Sequence, residues 1–247
     1  MSKSLIDKEL LGKIKAFKSP INQVYWNRLE SNKMSKNADD NEIIKELIAI
    51  TKDKESWKEN IGAVALKLND DYPVAVKAKA LWILGEMGLK YPKEIEPYIN
   101  DIAAYLDNED SKLRERSANA IGRIGRADKD LIIDHIDTLM KLKDDEYGNV
   151  RHAFIWACEN IAVNAPDIFC KKLDIFYEMI SDSGDKVRIE APEMFRVLGK
   201  RKPNCVKPYL ERLEYIAEND ENPTVRIHSA GAVRITRKAL KESEESK

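Results

Sequence analysis

VKAKALWILGEMG from Val76, LRERSANAIGRIG from Leu113, VRHAFIWACENIA from Val150, VRIEAPEMFRVLG from Val187 and VRIHSAGAVRITR from Val225 are five versions of one segment. Their first residues lie 37, 37, 37 and 38 positions apart, and a fixed period of this size is the signature of a stacked repeat. Each opens with an aliphatic residue and then a base: Lys77, Arg114, Arg151, Arg188 and Arg226. Four positions on from the start stand Ala80, Ser117, Phe154, Ala191 and Ser229, and eight on stand Leu84, Ile121, Cys158, Phe195 and Val233. Apolar or small residues at this spacing mark one face of a helix.

A second row of apolar residues fills the intervals. Ile99, Ile136, Leu173 and Leu210 share the 37-residue spacing, as do Ile102, Leu139, Phe176 and Leu213, and Tyr105, Leu142, Met179 and Ile216. Carried back one period, these rows reach Gly62, Ala65 and Leu68, so Trp57–Leu68 reads as the first helix of the first repeat. Each repeat is then a helical hairpin that cannot bury its apolar faces alone, and stacking joins them into one core. Asp110-Ser111, Asn149, Asp185 and Asn222-Pro223 stand at the second-helix starts as capping or first-turn residues. Gly88, Gly125 and Gly199 close those helices, where a left-handed C-cap suits glycine. Pro192 falls inside the fourth second helix and predicts a kink or an early start there.

Composition agrees with a helical, globular chain. Of 247 residues, 43% are hydrophobic and 34% charged, with 10 glycines and 9 prolines, too few turn-formers for a strand-rich fold. No run of about 18 apolar residues is present, which excludes a membrane-spanning helix, and the start MSKSLIDKELLGK is not a signal peptide. The expected setting is the cytoplasm. Cys158, Cys170 and Cys205 form no CxxC pair and read as three buried or half-buried thiols in a reducing compartment. The formal net charge of −1 argues against a general nucleic-acid binder. No His, Cys or carboxylate group has metal-ligand spacing, and no nucleophile, phosphate-loop or kinase-like motif appears. The expectation is therefore no catalytic residue, no metal and no cofactor.

A hairpin of about 37 residues with D/N-x-x-V-R-x-x-A at the second helix resembles the HEAT repeat, an armadillo-type α-solenoid family, over residues 55–238. The resemblance implies an all-α, right-handed α-α superhelix of about five helical hairpins. It also implies a charge ladder, in which the repeated bases pair with acids of neighbouring repeats; Asp110 and Asp185 stand just ahead of two of those bases. Residues 1–54, with helices expected over Leu5–Phe17, Ile21–Leu29 and Ile43–Ile50 and a polar loop over Ser31–Asn41, read as an N-terminal helical cap. Trp26 and Trp57 read as core or cap residues, and residues 239–247 as a charged C-terminal tail.

At about 100° per residue, the face of each second helix opposite its apolar stripe is centred on the residue six after the start. That position holds Trp82, Asn119, Trp156, Glu193 and Gly231. Beside it, nine, ten and thirteen residues from the start, lie Glu86, Arg123, Arg126, Glu159, Asn160 and Arg196. Two of four tryptophans thus fall where the pattern predicts solvent. In a HEAT superhelix the second helices line the concave surface, and aromatics flanked by arginines are the material of binding hot spots. The candidate partner-binding residues are these: Trp82, Glu86, Asn119, Arg123, Arg126, Trp156, Glu159, Asn160, Glu193 and Arg196. The plainer alternative is that each tryptophan only packs between neighbouring second helices.

The function expected from this reading is a non-enzymatic, monomeric scaffold that binds a partner protein or peptide on its concave face. The alternative is a HEAT-like alkylpurine DNA glycosylase or another nucleic-acid-binding HEAT protein, whose groove tryptophans, arginines and acid Trp82, Glu86, Arg123, Arg126 and Trp156 resemble in type. Glu86, Glu159 and Glu193 on the same strip oppose a phosphate backbone.

Overall fold

The computed structural model describes residues 39–245. The chain divides into two compact units, 1–46 and 47–247, and of the first only 39–46, which are helical, lie among the described residues. The segments expected over Leu5–Phe17 and Ile21–Leu29, and Trp26, fall outside them. The helix expected over Ile43–Ile50 spans 39–52, so the last three residues of the polar loop expected over Ser31–Asn41 are helical instead.

The second unit is a ladder of helical hairpins. The second helices are α2 (Val74–Lys90), α4 (Ser111–Ala127), α6 (Gly148–Ala162), α8 (Asp185–Arg201) and α10 (Pro223–Glu245). Each begins two residues ahead of the quoted segments. The first helices are shorter: α1 (Trp57–Ala65), α3 (Ile99–Ala104), α5 (Ile136–Lys141), α7 (Leu173–Met179) and α9 (Leu210–Asn219). All but α7 directly adjoin a 3₁₀ turn, and prolines at 92, 97, 203 and 208 sit ahead of their bodies, where a missing N–H costs little. α10 stays helical through Glu245.

The core runs along the seam between first and second helices. Ile102, Leu139, Phe176 and Leu213 from one row, and Leu84, Ile121, Cys158 and Phe195 from the other, are each 0% exposed. Phe154 of α6 stacks on Phe176 of α7 with ring centroids 5.7 Å apart, and the Ser117 hydroxyl donates to the Ile102 carbonyl at 2.7 Å. Trp57 is buried and its Nε1–H donates to the Ile50 carbonyl at 2.8 Å.

Three of the five repeated bases form a ladder, with other acids than the sequence suggested, while Lys77 pairs back to Asp70 and Arg226 donates to the Asp220 and Glu221 carbonyls. Arg114 donates to Asp145 at 2.6 and 3.0 Å, Arg151 to Asp182 at 2.7 Å through both Nε and Nη2, and Arg188 to both oxygens of Asp220 at 3.0 and 3.1 Å. The partner lies 31 or 32 residues on, in the loop that opens the next second helix. Asp110 instead caps α4, accepting from the Lys112 and Leu113 amides, and Asp185 is the first residue of α8. The ladder aspartates also accept from the amide two residues ahead: Tyr147, Gly184 and Asn222. Each rung therefore fixes a turn and ties two repeats at once. Asn149 lies inside α6 and caps nothing, because the aspartate four residues earlier already holds that turn. Asn222 accepts from the Thr224 amide as expected.

Three expectations are corrected. Gly88, Gly125 and Gly199 are not left-handed caps, since no glycine of the described chain has positive φ. They are helical and lie against the next repeat: a Cβ on Gly88 would stand 2.5 Å from Ile124, and one on Gly125 2.7 Å from Ile132 and Ile161. Gly85 and Gly122 do the same against the Ala120 and Ala157 backbones, at 2.8 and 2.6 Å. This repeated glycine–alanine contact draws α2, α4 and α6 close together. One period later Glu159 takes the glycine's place, and α6 packs on α8 less extensively than the other second helices pack on their neighbours. Second, α8 starts in register at Asp185 and runs unbroken through Pro192, which is buried with Ala191, Met194 and Phe195; burial of that apolar face outweighs the proline's lost hydrogen bond. Third, Cys170 and Cys205 are not separate thiols but a disulfide, their Cα atoms 5.5 Å apart. Their separation of 35 residues is close to one period, so stacking brings the loops after α6 and α8 together. Cys158 remains a buried thiol, its pKa pushed well up by burial.

Candidate binding surface on the second-helix face

The stripe opposite the apolar face is continuous from α2 to α10. Trp82, Asn119, Trp156, Glu193 and Gly231 succeed one another along it, and each is half-buried. Neither tryptophan is a core residue, and neither is a bare exposed ring. The Lys79 ammonium stands 4.4 Å from the Trp82 ring centroid and the Arg123 guanidinium 4.5 Å from that of Trp156. Such cation–π contacts orient the ring while leaving its rim open. Arg123 also pairs with Glu86 at 2.5 Å and donates to the Asn119 carbonyl at 3.3 Å, so Glu86, Arg123 and Trp156 form one chain across α2, α4 and α6. Burial is the main influence on the Arg123 guanidinium and lowers its pKa, with Glu86 opposing that shift.

Two depressions open on this face. One of about 490 Å³ lies between Trp82 and Trp156, over Asn119 and Arg123, with Lys112, Glu115, Arg116, Asn149, His152 and Lys186 at its edge. The other, about 720 Å³, has Val74, Ala75, Ala78 and Trp82 for walls, with Lys79, Lys112 and Arg116 around them. Lys79 is pulled below its ordinary pKa, first by burial and then by the neighbouring Arg116 charge.

Farther along, the face changes sign. Glu159 of α6 and Glu190 and Glu193 of α8 come together there, with His152 and His228 beside them. His152 Nε2 is 3.7 Å from Glu190, His228 Nδ1 is 3.3 Å from Glu193, and Arg196 pairs with Glu193. Glu159 Oε1 is closed off from solvent with no hydrogen-bond partner. Burial, then the charges of Glu190 and Glu193, holds the Glu159 carboxyl well above the usual range. Glu190 is held low, chiefly by His152. No group of three or more His, Cys, Asp or Glu among the described residues could hold a metal ion.

The structure thus brings Trp82, Glu86, Asn119, Arg123 and Trp156 into one cluster, and Glu159, Glu193 and Arg196 into a second. Asn160 is 8% exposed; it accepts from Arg126 at 3.3 Å and donates to the Trp156 carbonyl at 2.9 Å, so it braces the tryptophan's turn from behind. Arg126 itself is exposed. The sequence reading omitted Lys79, Lys112, Arg116 and Lys186. These occupy positions three after the segment start, or one before it, at about −60° and −100° on the same wheel.

No protein-family model matches the chain, and no curated protein matches it. Among solved structures, a designed armadillo repeat protein in complex with the peptide (KR)4 superposes with a TM-score of 0.60 at 20% identity, over 78% of this chain and 90% of that one. This is an armadillo/HEAT-type repeat fold. An engineered protein aligns with this solenoid at 0.60 and 16% identity over 78% and 85% of the two chains. A chain of a homology model of the full-length AP-3 complex aligns at 0.64 and 15% identity; the solenoid covers 35% of that longer chain, which covers 81% of it in return. No helix among the described residues is long and apolar enough to cross a membrane.

Proposed function

We propose that this solenoid is a non-enzymatic, monomeric scaffold whose second-helix face binds an extended peptide segment of a partner protein. The array is taken as residues 55–238, with 1–54 as its cap and 239–247 as a tail. One observation carries the reading: Trp82 and Trp156 border a single depression, half-open, each already oriented by a cation. Rings held in place but not covered lose little freedom on contact, which is what a binding hot spot needs. The peptide complex of the similar designed armadillo protein supports the mode. The glycosylase reading is weaker, because the face is interrupted by Glu159, Glu190 and Glu193 and offers no continuous path for phosphates.

The test compares wild type with Trp82→Ala/Trp156→Ala, both shown folded by circular dichroism. A photo-crosslinker replaces Asn119 in each background. Proteins crosslinked by wild type and lost from the double variant support the groove. Identical crosslinked sets from both proteins overturn it.

A further inference from the structure

We propose that the segment bound on this face is acidic: a short run of carboxylates with an apolar side chain among them, seated over α2, α4 and the first turn of α6. The proposal rests on the peptide-groove reading and narrows it to one chemistry.

Charge is the first argument. The two depressions gather Lys79, Lys112, Arg116, Arg123 and Lys186, while the carboxylates that reach these cations are Glu86 and Glu115. Glu86 is taken up by Arg123. Glu115 is shared, 2.9 Å from Lys112 and 3.9 Å from Arg116. Lys79 stands on Trp82 beside Arg116 with no carboxylate against it, and Lys186 is exposed and in no ion pair among the described residues. The local excess of positive charge occurs on a chain whose net charge is −1. An anion placed in this depression meets Lys112, Arg116 and Lys186. A cationic peptide meets repulsion.

Shape is the second argument. The larger depression has Val74, Ala75, Ala78 and Trp82 for walls and Lys79, Lys112 and Arg116 for a rim. A leucine or aromatic side chain fits such a floor while its neighbours' carboxylates reach the rim.

Length is the third, and it separates a peptide from nucleic acid. Packed helices lie about 10 Å apart, so the cationic stretch from α2 to α6 spans about 20 Å, or about six extended residues. Beyond it Glu190 and Glu193 repel further anions, and Glu159 lies behind them. A long phosphate backbone would have to run on past Glu190 and Glu193, whereas an acidic run in a protein can end before them. The designed armadillo relative holds (KR)4; the charge on this face calls for the opposite sequence.

The experiment is fluorescence anisotropy of the full chain with three labelled peptides, EELEELEE, KKLKKLKK and SSLSSLSS, and an eight-nucleotide oligothymidylate, in about 0.05 and 0.3 M salt. EELEELEE is expected to bind at least about tenfold tighter than SSLSSLSS at low salt, with KKLKKLKK weakest, and the gap narrows as salt rises. Lys112→Glu/Arg116→Glu should invert the order, and Trp82→Ala should weaken both EELEELEE and SSLSSLSS. If KKLKKLKK binds best and depends on Trp82, the acidic segment is wrong while the groove reading stands. If no peptide binds, or binding ignores both Trp82→Ala and the charge reversal, both readings fall. If the oligonucleotide outcompetes EELEELEE with a steep salt dependence, the occupant is nucleic acid and the proposal is overturned.

Discussion

Replacing Gly122 with alanine and, separately, Gly231 with alanine should move stability in opposite directions. Both glycines lie inside second helices, where alanine is favoured over glycine by about 1 kcal/mol. Their surroundings differ. A Cβ on Gly122 would stand 2.6 Å from Ala157 Cα, 2.9 Å from its Cβ and 3.2 Å from its carbonyl oxygen. Ordinary carbon contacts are about 3.5–4.0 Å, so α6 must retreat by about 1 Å. The obstacle is backbone, which has no rotamer to change, and overpacking of this kind costs about 1–3 kcal/mol. Because the whole α4–α6 face loses contact as the helix retreats, the upper part of that range applies, and Gly122→Ala should be destabilised by about 1–2 kcal/mol net. At Gly231 the nearest atom is Arg196 Cδ at 3.9 Å, an ordinary contact, so Gly231→Ala should gain about 0.5–1 kcal/mol. Urea melts followed by circular dichroism give both values. Equal stabilisation of the two variants would refute the argument that glycine sets the spacing of α2, α4 and α6.

Arg151→Ala should cost about 2–4 kcal/mol by leaving a mostly buried Asp182 without the two hydrogen bonds that Arg151 donates. The pH test follows from Asp182: burial alone would raise its pKa, but the hydrogen bonds from Arg151 and the Gly184 amide outweigh burial and lower it. Its stabilisation is present above the ordinary carboxylate value and is lost as pH falls through the lower folded value, so the deficit of Asp182→Asn at neutral pH should vanish in acid urea melts. Glu159 has the opposite sign: its raised pKa makes wild type lose stability as pH climbs above the unfolded value, so Glu159→Gln should be more stable than wild type near pH 7 and equal to it below about pH 4. Reducing Cys170–Cys205, separated by 35 residues, should remove about 4 kcal/mol by the loop-entropy relation, and thiol titration of the unfolded chain should rise from one group to three on reduction.

The period made most of the fold legible. A 37-residue spacing held by five segments fixes the number, order and pairing of helices, because each apolar row must face its counterpart. It does not reveal which atoms meet across repeats. The ladder base at Arg151 is found by repetition, and its partner Asp182 belongs to a row of its own with Asp145 and Asp220, 37 and 38 residues apart, but repetition alone does not say that the two rows pair across 31 residues. Gly88 and Gly125 are ambiguous in sequence because a helix end and a close helix contact both demand glycine, and only the packed neighbours Ile124, Ile132 and Ile161 distinguish them. Cys170 and Cys205 escaped because their spacing misses the period by two. On the binding face, the wheel located Trp82 and Trp156. Lys79, Lys112, Arg116 and Lys186 were in reach of the same wheel, at positions where lysine and arginine look like ordinary solvated residues. Their significance is collective and needs the distances.

Glu159 in the place of a glycine gives the solenoid unequal stiffness. From α2 to α6 the glycine–alanine contacts leave no slack, so that part moves as a block. Between α6 and α8 the backbone contact is replaced by a glutamate side chain, which can change rotamer. The packing of α6 on α8 is the sparsest between consecutive second helices, and the disulfide between the segments after α6 and α8 tethers the same two repeats. A tethered soft joint swings rather than parts. The seam crosses the binding face: Lys79, Lys112, Arg116, Arg123 and Glu159 lie on one side of it and Lys186, Glu190 and Glu193 on the other, so the depression that Lys112 and Lys186 share straddles the joint.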